Sequence, residues 1–188
     1  MKKFALLAIV AVLCSPLMAQ DRLEIFGGYQ YLHNGNITIN GESQPGSSQG
    51  YNGWEGAAQF NFSHHLGVEG DFSGVYANVN GVSTHIYTYA GGPVVFFHAG
   101  GIKPFVHVLV GGTSLTGSEQ SVSVTTNGYT VMFGGGLDAK INRLLALRLG
   151  QVDWVYYHFS GFNTPGLSTP SFSGSSNVRI STGVVLHF

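Results

Sequence analysis

Apolar and polar residues alternate with a period of two along most of the chain beyond residue 20, and this alternation constrains the fold most. In the segment from Leu66 to Tyr76, the even positions are hydrophobic or glycine, while the odd positions include Glu69 and Asp71. Successive side chains of a β-strand point to opposite faces, so the pattern indicates a strand with one apolar and one polar face. No window shows the spacing of an amphipathic helix. The chain is therefore predicted to be all-β.

Eight segments carry this alternation, separated by clusters of Gly, Asn, Ser and Pro. They lie at about residues 22–32, 54–62, 66–76, 85–97, 103–115, 129–141, 145–159 and 178–188. Thr88 in the fourth segment and His107 in the fifth are expected on the polar face. In the seventh segment the alternation changes phase near Gly150, which predicts a β-bulge there.

The connections between these segments alternate in length. Polar links fall at about 33–51, 77–83, 116–128 and 160–177, and tight turns fall at about 63–65, 98–102 and 142–143. Consecutive connections of an up-and-down sheet lie at opposite ends, so one end should carry every long loop and the other every tight turn. The pattern predicts an eight-stranded antiparallel up-and-down β-barrel.

The low charge of the chain decides which face of the sheet points outward. Only 9% of the residues are charged, against about 25% in an average soluble domain. Glycines interrupt the apolar faces and would fill a soluble core poorly. Large aromatic residues lie near the strand ends of those faces, as in the girdles of membrane barrels: Tyr29, Tyr31, Trp54, Phe62, Tyr76, Tyr87, Trp154, Tyr156 and Phe188. We therefore expect a transmembrane barrel with its apolar face toward lipid; a soluble β-barrel or sandwich is the alternative.

The polar faces should then line the inside, where eight strands leave only enough room for side chains. A lumen charge network is predicted from Glu24, Glu55, Glu69, Asp71, Asp138, Lys140, Arg148, Asp153 and Arg179. Such filling argues against a diffusion pore, although six acids against three bases keep a narrow, low-conductance channel as an alternative. On the opposite face, Gly135→Arg is expected to cost about 2–4 kcal/mol at the midplane.

The N-terminal segment has the features of a secretory signal. Lys2 and Lys3 precede an apolar run from Phe4 to Leu13, and Ala19 offers a small residue for cleavage. The run would reach only about 15 Å as a helix, half of a bilayer core. Residues 1–19 are predicted to be a cleaved signal peptide and residues 20–188 the barrel domain.

The last seven residues, Thr182 to Phe188, resemble the β-signal of bacterial outer-membrane proteins. That signal has a polar residue, a glycine, two free positions, a hydrophobic residue, any residue and a terminal aromatic. The resemblance implies that Gly183, Leu186 and Phe188 act as an assembly signal that the barrel-assembly machinery reads.

Residues 22–188 as a whole resemble the small eight-stranded outer-membrane barrels of the OmpA/OmpX type. Three stretches carry the resemblance: Gly134 to Asp138, Leu145 to Leu149 and Gln151 to Trp154. It implies a location in the bacterial outer membrane, with lipid as the surrounding partner. We expect no peptidoglycan-binding domain, so the cell-wall anchoring of OmpA itself is not implied.

No pattern in the sequence specifies a catalytic site, a cofactor or a metal. The eight histidines share no ligand spacing, and a formal charge of −1 gives no reason to expect nucleic-acid binding. Some related barrels modify lipids, and His158, Ser160 and Asp153 are the residues here that such an enzyme would use. A structural or surface-interaction role is expected instead. Its candidate sites are the polar loops Asn34 to Gly50, Thr116 to Gly128 and Ser160 to Asn177, and their extracellular ligand is unknown.

Overall fold

A computed structural model describes residues 22–35, 38–39, 42–43, 50–79, 82–119, 122–159, 163–164, 167–168 and 173–188. Eight long strands account for most of these residues: β1 (Leu23–Asn34), β2 (Gly50–Asn61), β3 (Leu66–Val79), β4 (Val82–Phe96), β5 (Ile102–Glu119), β6 (Val122–Lys140), β7 (Leu145–Phe159) and β8 (Ser173–His187). Two two-residue ladders add to them, Thr38–Ile39 with Glu42–Ser43 and Asn163–Thr164 with Leu167–Ser168. The predicted signal segment, residues 1–19, lies outside the described residues.

Each long strand pairs antiparallel with its neighbours in the chain, and β8 returns to pair with β1. Tyr29, for instance, lies opposite Trp54 of β2 on one side and Thr182 of β8 on the other. Closure leaves no unpaired sheet edge. The predicted eight-stranded antiparallel up-and-down barrel is confirmed. Among the described residues, no helix has the length and apolar character needed to cross a membrane.

The barrel carries its apolar side chains outside and its polar side chains inside. On the outer wall Val110 and Phe133 are 59% and 58% exposed, whereas Asp153 inside is fully buried. Thr88 and His107 face inward, as their positions in the alternation predicted. A soluble β-protein distributes these side chains the other way.

The predicted bulge is present in β7. Leu137 of β6 pairs with Gly150, but the next residue, Asp138, pairs with Arg148, so Leu149 has no partner in the ladder. The neighbouring strand β8 shows the same shift between Ser181 and Gly183. Because of this extra residue, Arg148 and Gln151 both face inward although they are three positions apart.

Tight turns connect the strands at one end of the barrel, as predicted. They lie between β2 and β3, between β4 and β5, and between β6 and β7. In the second, Gly100 adopts a positive φ of 67°, a conformation that side-chain-bearing residues rarely take. Both ends of the barrel domain, near Leu23 and Phe188, meet at this turn end through backbone hydrogen bonds.

Two of the predicted long connections are instead mostly strand. Within the predicted loop 116–128, β5 continues to Glu119 and β6 starts at Val122, with Thr116 opposite Thr125. The link at 77–83 is likewise strand up to Val79 and again from Val82. These segments are polar but rich in Thr and Val, which fit a pleated sheet well. A prediction from polarity alone therefore overestimated the length of these two loops. Much of the other two connections, 33–51 and 160–177, lies outside the described residues.

Candidate functional site

The inside of the barrel is filled in three layers. Toward the loop end lies an apolar cluster of Leu32, Tyr51, Val75, Ile86, Leu109, Met132, Val155 and Tyr157. A layer of charged and amide side chains lies in the middle. Toward the turn end, the small apolar clusters around Phe26 and Phe96 border a second, smaller charged group. This order follows each strand, as in β5, where Lys103, Phe105, His107 and Leu109 point inward in turn.

Arg179 is the centre of the middle layer. Its Nε and Nη2 atoms each lie 2.7 Å from Oδ2 of Asp153, and Nη1 donates to Oδ1 of Asp71 over 3.1 Å. Glu55 Oε1 lies 3.6 Å from Nη2. The side chain of Arg179 is 2% exposed, so these three carboxylates replace the water that a guanidinium would otherwise bind.

His107 joins two carboxylates from opposite sides of the lumen. Its Nδ1 lies 2.9 Å from Glu69 Oε1 and its Nε2 lies 2.9 Å from Asp153 Oδ1. Ionised carboxylates only accept hydrogen bonds, so both contacts form together when the ring carries two protons and a positive charge. His107 thus offsets part of the acidic excess that the sequence indicated.

Amide and hydroxyl groups complete the middle layer around Glu55. Gln151 Nε2 donates to Glu55 Oε1 over 3.0 Å and to Asp153 Oδ2 over 2.7 Å. Ser181 donates to Glu55 Oε2 over 2.5 Å. These residues come from β2, β7 and β8, so the network ties opposite walls of the barrel together.

Arg148 connects the middle layer to the turn end. It donates through Nε and Nη2 to the two oxygens of Asp138, over 2.8 and 3.2 Å, and through Nη1 to Gln151. Its guanidinium also lies 4.2 and 4.3 Å from the ring centroids of Phe26 and Phe105. Closer to the turn end, Lys103 forms a hydrogen-bonded ion pair with Glu24.

The structure brings most of the predicted network residues together but not all of them. Eight are buried inside: Glu24, Glu55, Glu69, Asp71, Asp138, Arg148, Asp153 and Arg179. Lys140 is not among them, because it is the last residue of β6 and lies exposed at the turn end. A lysine that the predicted network did not include, Lys103, lies inside and pairs with Glu24. The inward position of His107 in β5 implied the same for Lys103, four residues earlier, but this consequence was missed.

The lumen is also less polar than predicted. Leu109, Met132 and Val155 are fully buried in the loop-side cluster, on the same inner face as the charged residues. Alternation separates inside from outside but does not show how polarity varies with depth. In this barrel charged groups are concentrated in the middle and at the turn end.

Of the residues suggested for a lipid-modifying enzyme, Asp153 and His158 do not come together. Asp153 points into the lumen, whereas His158 lies on the outer face of the same strand and stacks on Tyr129 with ring centroids 4.7 Å apart. Ser160 lies outside the described residues. Across the part of the chain that is described, no three His, Cys, Asp or Glu side chains are placed to hold a metal ion.

The three residues of the proposed assembly signal occupy different faces of β8. Leu186 and Phe188 are exposed on the outer wall, 41% and 61% respectively. Gly183 faces inward, where a Cβ would lie 2.3 Å from the Gly27 carbonyl oxygen. Glycine is therefore needed there for packing, whatever the assembly machinery reads.

Known structures share this architecture, although sequence comparison alone identifies no relative. No protein-family model and no curated protein sequence matches the chain. Neisserial surface protein A is similar with a TM-score of 0.69 at 10% identity, over 88% of this chain and 97% of that one.

Two further barrels are similar at comparable coverage. Ail, the attachment invasion locus protein of Yersinia pestis, has a TM-score of 0.52 at 13% identity, over 89% of this chain and 99% of that one. Outer membrane protein OprG of Pseudomonas aeruginosa has a TM-score of 0.54 at 12% identity, over 88% and 95%. The chain thus has the fold of the small eight-stranded outer-membrane barrels, which confirms the predicted resemblance at the level of fold.

Proposed function

We propose that the chain is an integral outer-membrane barrel, closed inside by its own side chains, that acts structurally or through its loop-end surface. One observation carries the proposal: charged side chains are buried while large hydrophobic side chains cover the outer wall. Arg179 and Asp153 are 2% and 0% exposed, whereas Val152, the neighbour of Asp153, is 55% exposed. Exposing this apolar wall to water would cost free energy, and surrounding it with lipid avoids that exposure.

The height of the apolar wall fits a bilayer. On β3 the outward residues run from Leu66 to Tyr76, ten residue steps. At about 3.3 Å for each step and a tilt of about 40°, the wall is about 25 Å tall. This equals the apolar band of outer-membrane barrels.

Aromatic side chains border this wall differently at its two ends. Toward the loop end, Trp54 donates through Nε1 to the Tyr76 hydroxyl over 3.0 Å, and Tyr29 donates to Asn52 over 2.5 Å. Toward the turn end, the exposed rings are Phe60, Phe62, Phe97 and Phe188. Amphipathic Tyr and Trp rings prefer the water–lipid interface. The Tyr and Trp girdle supports placing this end of the wall at a water–lipid interface, and long loops at the same end are typical of the outer surface of such barrels.

The role at that surface is proposed from the position of the polar segments. The β5–β6 hairpin continues beyond the apolar wall, and the connections that follow β1, β3, β5 and β7 all lie at the same end. Rigid scaffolds often carry binding residues on such segments. Similarity to Ail, a protein whose name refers to attachment, supports a surface-interaction role.

Heat treatment of the membrane fraction tests the proposal. We expect the unboiled barrel to migrate faster on a detergent gel than the boiled chain, because a closed barrel resists detergent at room temperature. Unfolding the same sample in urea before loading is the control and should remove the fast band. Recovery of the protein in the periplasm, with no mobility change on boiling, would contradict it and favour a soluble β-barrel.

The filled interior predicts that the purified barrel does not conduct ions. We expect no discrete conductance steps in a planar bilayer, because Leu109 and Met132 close the loop side and the Arg179 network closes the middle. Addition of a general porin to the same bilayer is the positive control. Reproducible single-channel steps from the barrel alone would contradict the closed interior and favour the narrow-channel alternative.

A further inference from the structure

The basic residues of the barrel domain are distributed unevenly. Residues 22–188 contain six Lys and Arg, and two of them, Arg148 and Arg179, belong to the interior network. The other four, Arg22, Lys103, Lys140 and Arg143, lie at the turn end. The predicted loops at the opposite end contain no Lys or Arg, only the acids Glu42 and Glu119. Positive charge therefore accumulates at the turn end.

A cavity of about 640 Å³ opens among these four residues. All three tight turns contribute to its rim, through His64, His98 and Arg143, while Phe96 and Ala146 form apolar parts of its wall. Four basic side chains face two carboxylates, Glu24 and Asp138, and Arg148 already binds Asp138. The size lies within the usual range for small-molecule sites, about 300–1,000 Å³.

One buried side chain in this cavity has ring nitrogens without hydrogen-bond partners among the described residues. His187 lines the cavity and is only 7% exposed, yet neither ring nitrogen has a hydrogen-bond partner among the described residues. The nearest carboxylate oxygen, Glu24 Oε1, is 3.8 Å from Nδ1, too far for a hydrogen bond. Buried polar groups normally have partners, so the ring is placed to donate to a group that enters the cavity.

The electrostatic surroundings of His98 agree with a positive cavity. His98 lies in the turn between β4 and β5 and contributes to the rim. Partial burial lowers the pKa of its imidazole below the ordinary value, and the positive charge of Lys103 lowers it further. Lys140 acts in the same direction, while only Glu24 opposes them.

We infer that the turn-end cavity is a binding site for a phosphate monoester or diester with an apolar body. The oxyanion would accept from His187 and lie near Lys140 and Arg143, and the apolar part would contact Phe96 and Ala146. Two sources present this chemistry, a soluble phosphate ester and a phospholipid headgroup at the membrane surface. The site itself does not depend on the proposed membrane orientation, which decides only that the cavity faces the periplasm.

Calorimetric titration of the barrel in a neutral maltoside detergent tests the site. Phenyl phosphate is the probe, inorganic phosphate tests the oxyanion alone, and benzyl alcohol is the uncharged control. We expect phenyl phosphate to bind about tenfold more tightly than either control probe, since it alone satisfies both parts of the cavity. A mixed micelle with phosphatidylglycerol, compared with phosphatidylcholine, distinguishes the two sources. Competition with phenyl phosphate by either lipid assigns the site to headgroups, and its absence assigns it to a soluble ester.

Three variants separate the site from non-specific attraction. H187F removes both ring nitrogens while retaining an aromatic ring, and we expect about a tenfold loss of phenyl phosphate affinity. R143Q changes an exposed turn residue, and we expect about a threefold loss. H85F is the control, because His85 makes an edge-to-face contact with Tyr76 at the loop end, remote from the cavity, and phenylalanine retains an aromatic ring there. Absence of binding to the wild-type barrel overturns the inference, as does equal affinity for R143Q, H85F and the wild type.

Discussion

Gly70→Arg lowers the free energy of unfolding by about 2–4 kcal/mol if the outer wall faces lipid. Gly70 lies near the middle of the outward face of β3, and a Cβ built there meets no atom within 4 Å. The substitution therefore adds a charge at the bilayer midplane without a clash. Urea-induced unfolding of the barrel refolded into phospholipid vesicles measures the change.

Gly70→Ala and Gly70→Leu are the matched controls for this experiment. Both should equal or exceed the wild type in stability, because a strand glycine gains from a side chain and leucine favours lipid. Equal stability of the arginine and leucine variants would show that the wall is not in hydrocarbon. Gly135, the position suggested by the sequence, is less suitable. A Cβ there would lie 2.3 Å from the Phe105 carbonyl oxygen, so alanine would also disturb the barrel.

Arg179→Met is expected to cost about 3–5 kcal/mol, the range for leaving buried charges without their partner. Methionine keeps much of the volume of the arginine side chain. It removes the cation that contacts Asp71 and Glu55, and it leaves Asp153 with His107 and Gln151 as its described partners. The same vesicle unfolding assay measures the loss. A fall in the temperature at which the fast gel band disappears is the second measure.

A double-mutant cycle with Asp71→Asn separates charge from packing. If charge is responsible, the double variant should be less destabilised than the sum of the single changes, with a coupling of about 1–3 kcal/mol. Phe188→Leu, on the outer wall and remote from Arg179, should combine additively. Additive behaviour of the Asp71 pair instead would mean that the ion pair contributes little and that methionine fails through shape.

Much of the fold could be predicted because alternation is a local signal. Leu66 to Tyr76 shows it without interruption, and even the phase change near Gly150 is visible in the order of residues. Strand ends at the loop side were less predictable. Thr116 and Thr125 are compatible with either a polar loop or a polar strand, and only pairing between β5 and β6 decides between them.

The interior could be predicted as a set of residues but not as a set of contacts. Alternation places Arg179 and Asp71 inside, yet they lie 108 residues apart and meet because strand stagger brings them to the same depth. The partner of Glu24 depends on that depth as well, and the structure shows that it is Lys103. The turn-end cavity is unoccupied space between side chains, and no residue pattern specifies it.

The bulge at Leu149 compensates for the change in alternation that the sequence of β7 carries near Gly150. Alternate residues of a regular strand face the lumen and the outside. One inserted residue therefore turns every side chain after it to the opposite face, as far as the end of the strand. In β7 the extra residue occurs once, and both Arg148 before it and Asp153 after it still reach the lumen. Without Gly150, Arg148 and Gln151 would be two positions apart, and β7 would run as a regular strand that keeps both side chains in the lumen without a bulge. A single-residue insertion or deletion elsewhere in a strand would need a bulge of its own, whereas the connections between strands need none.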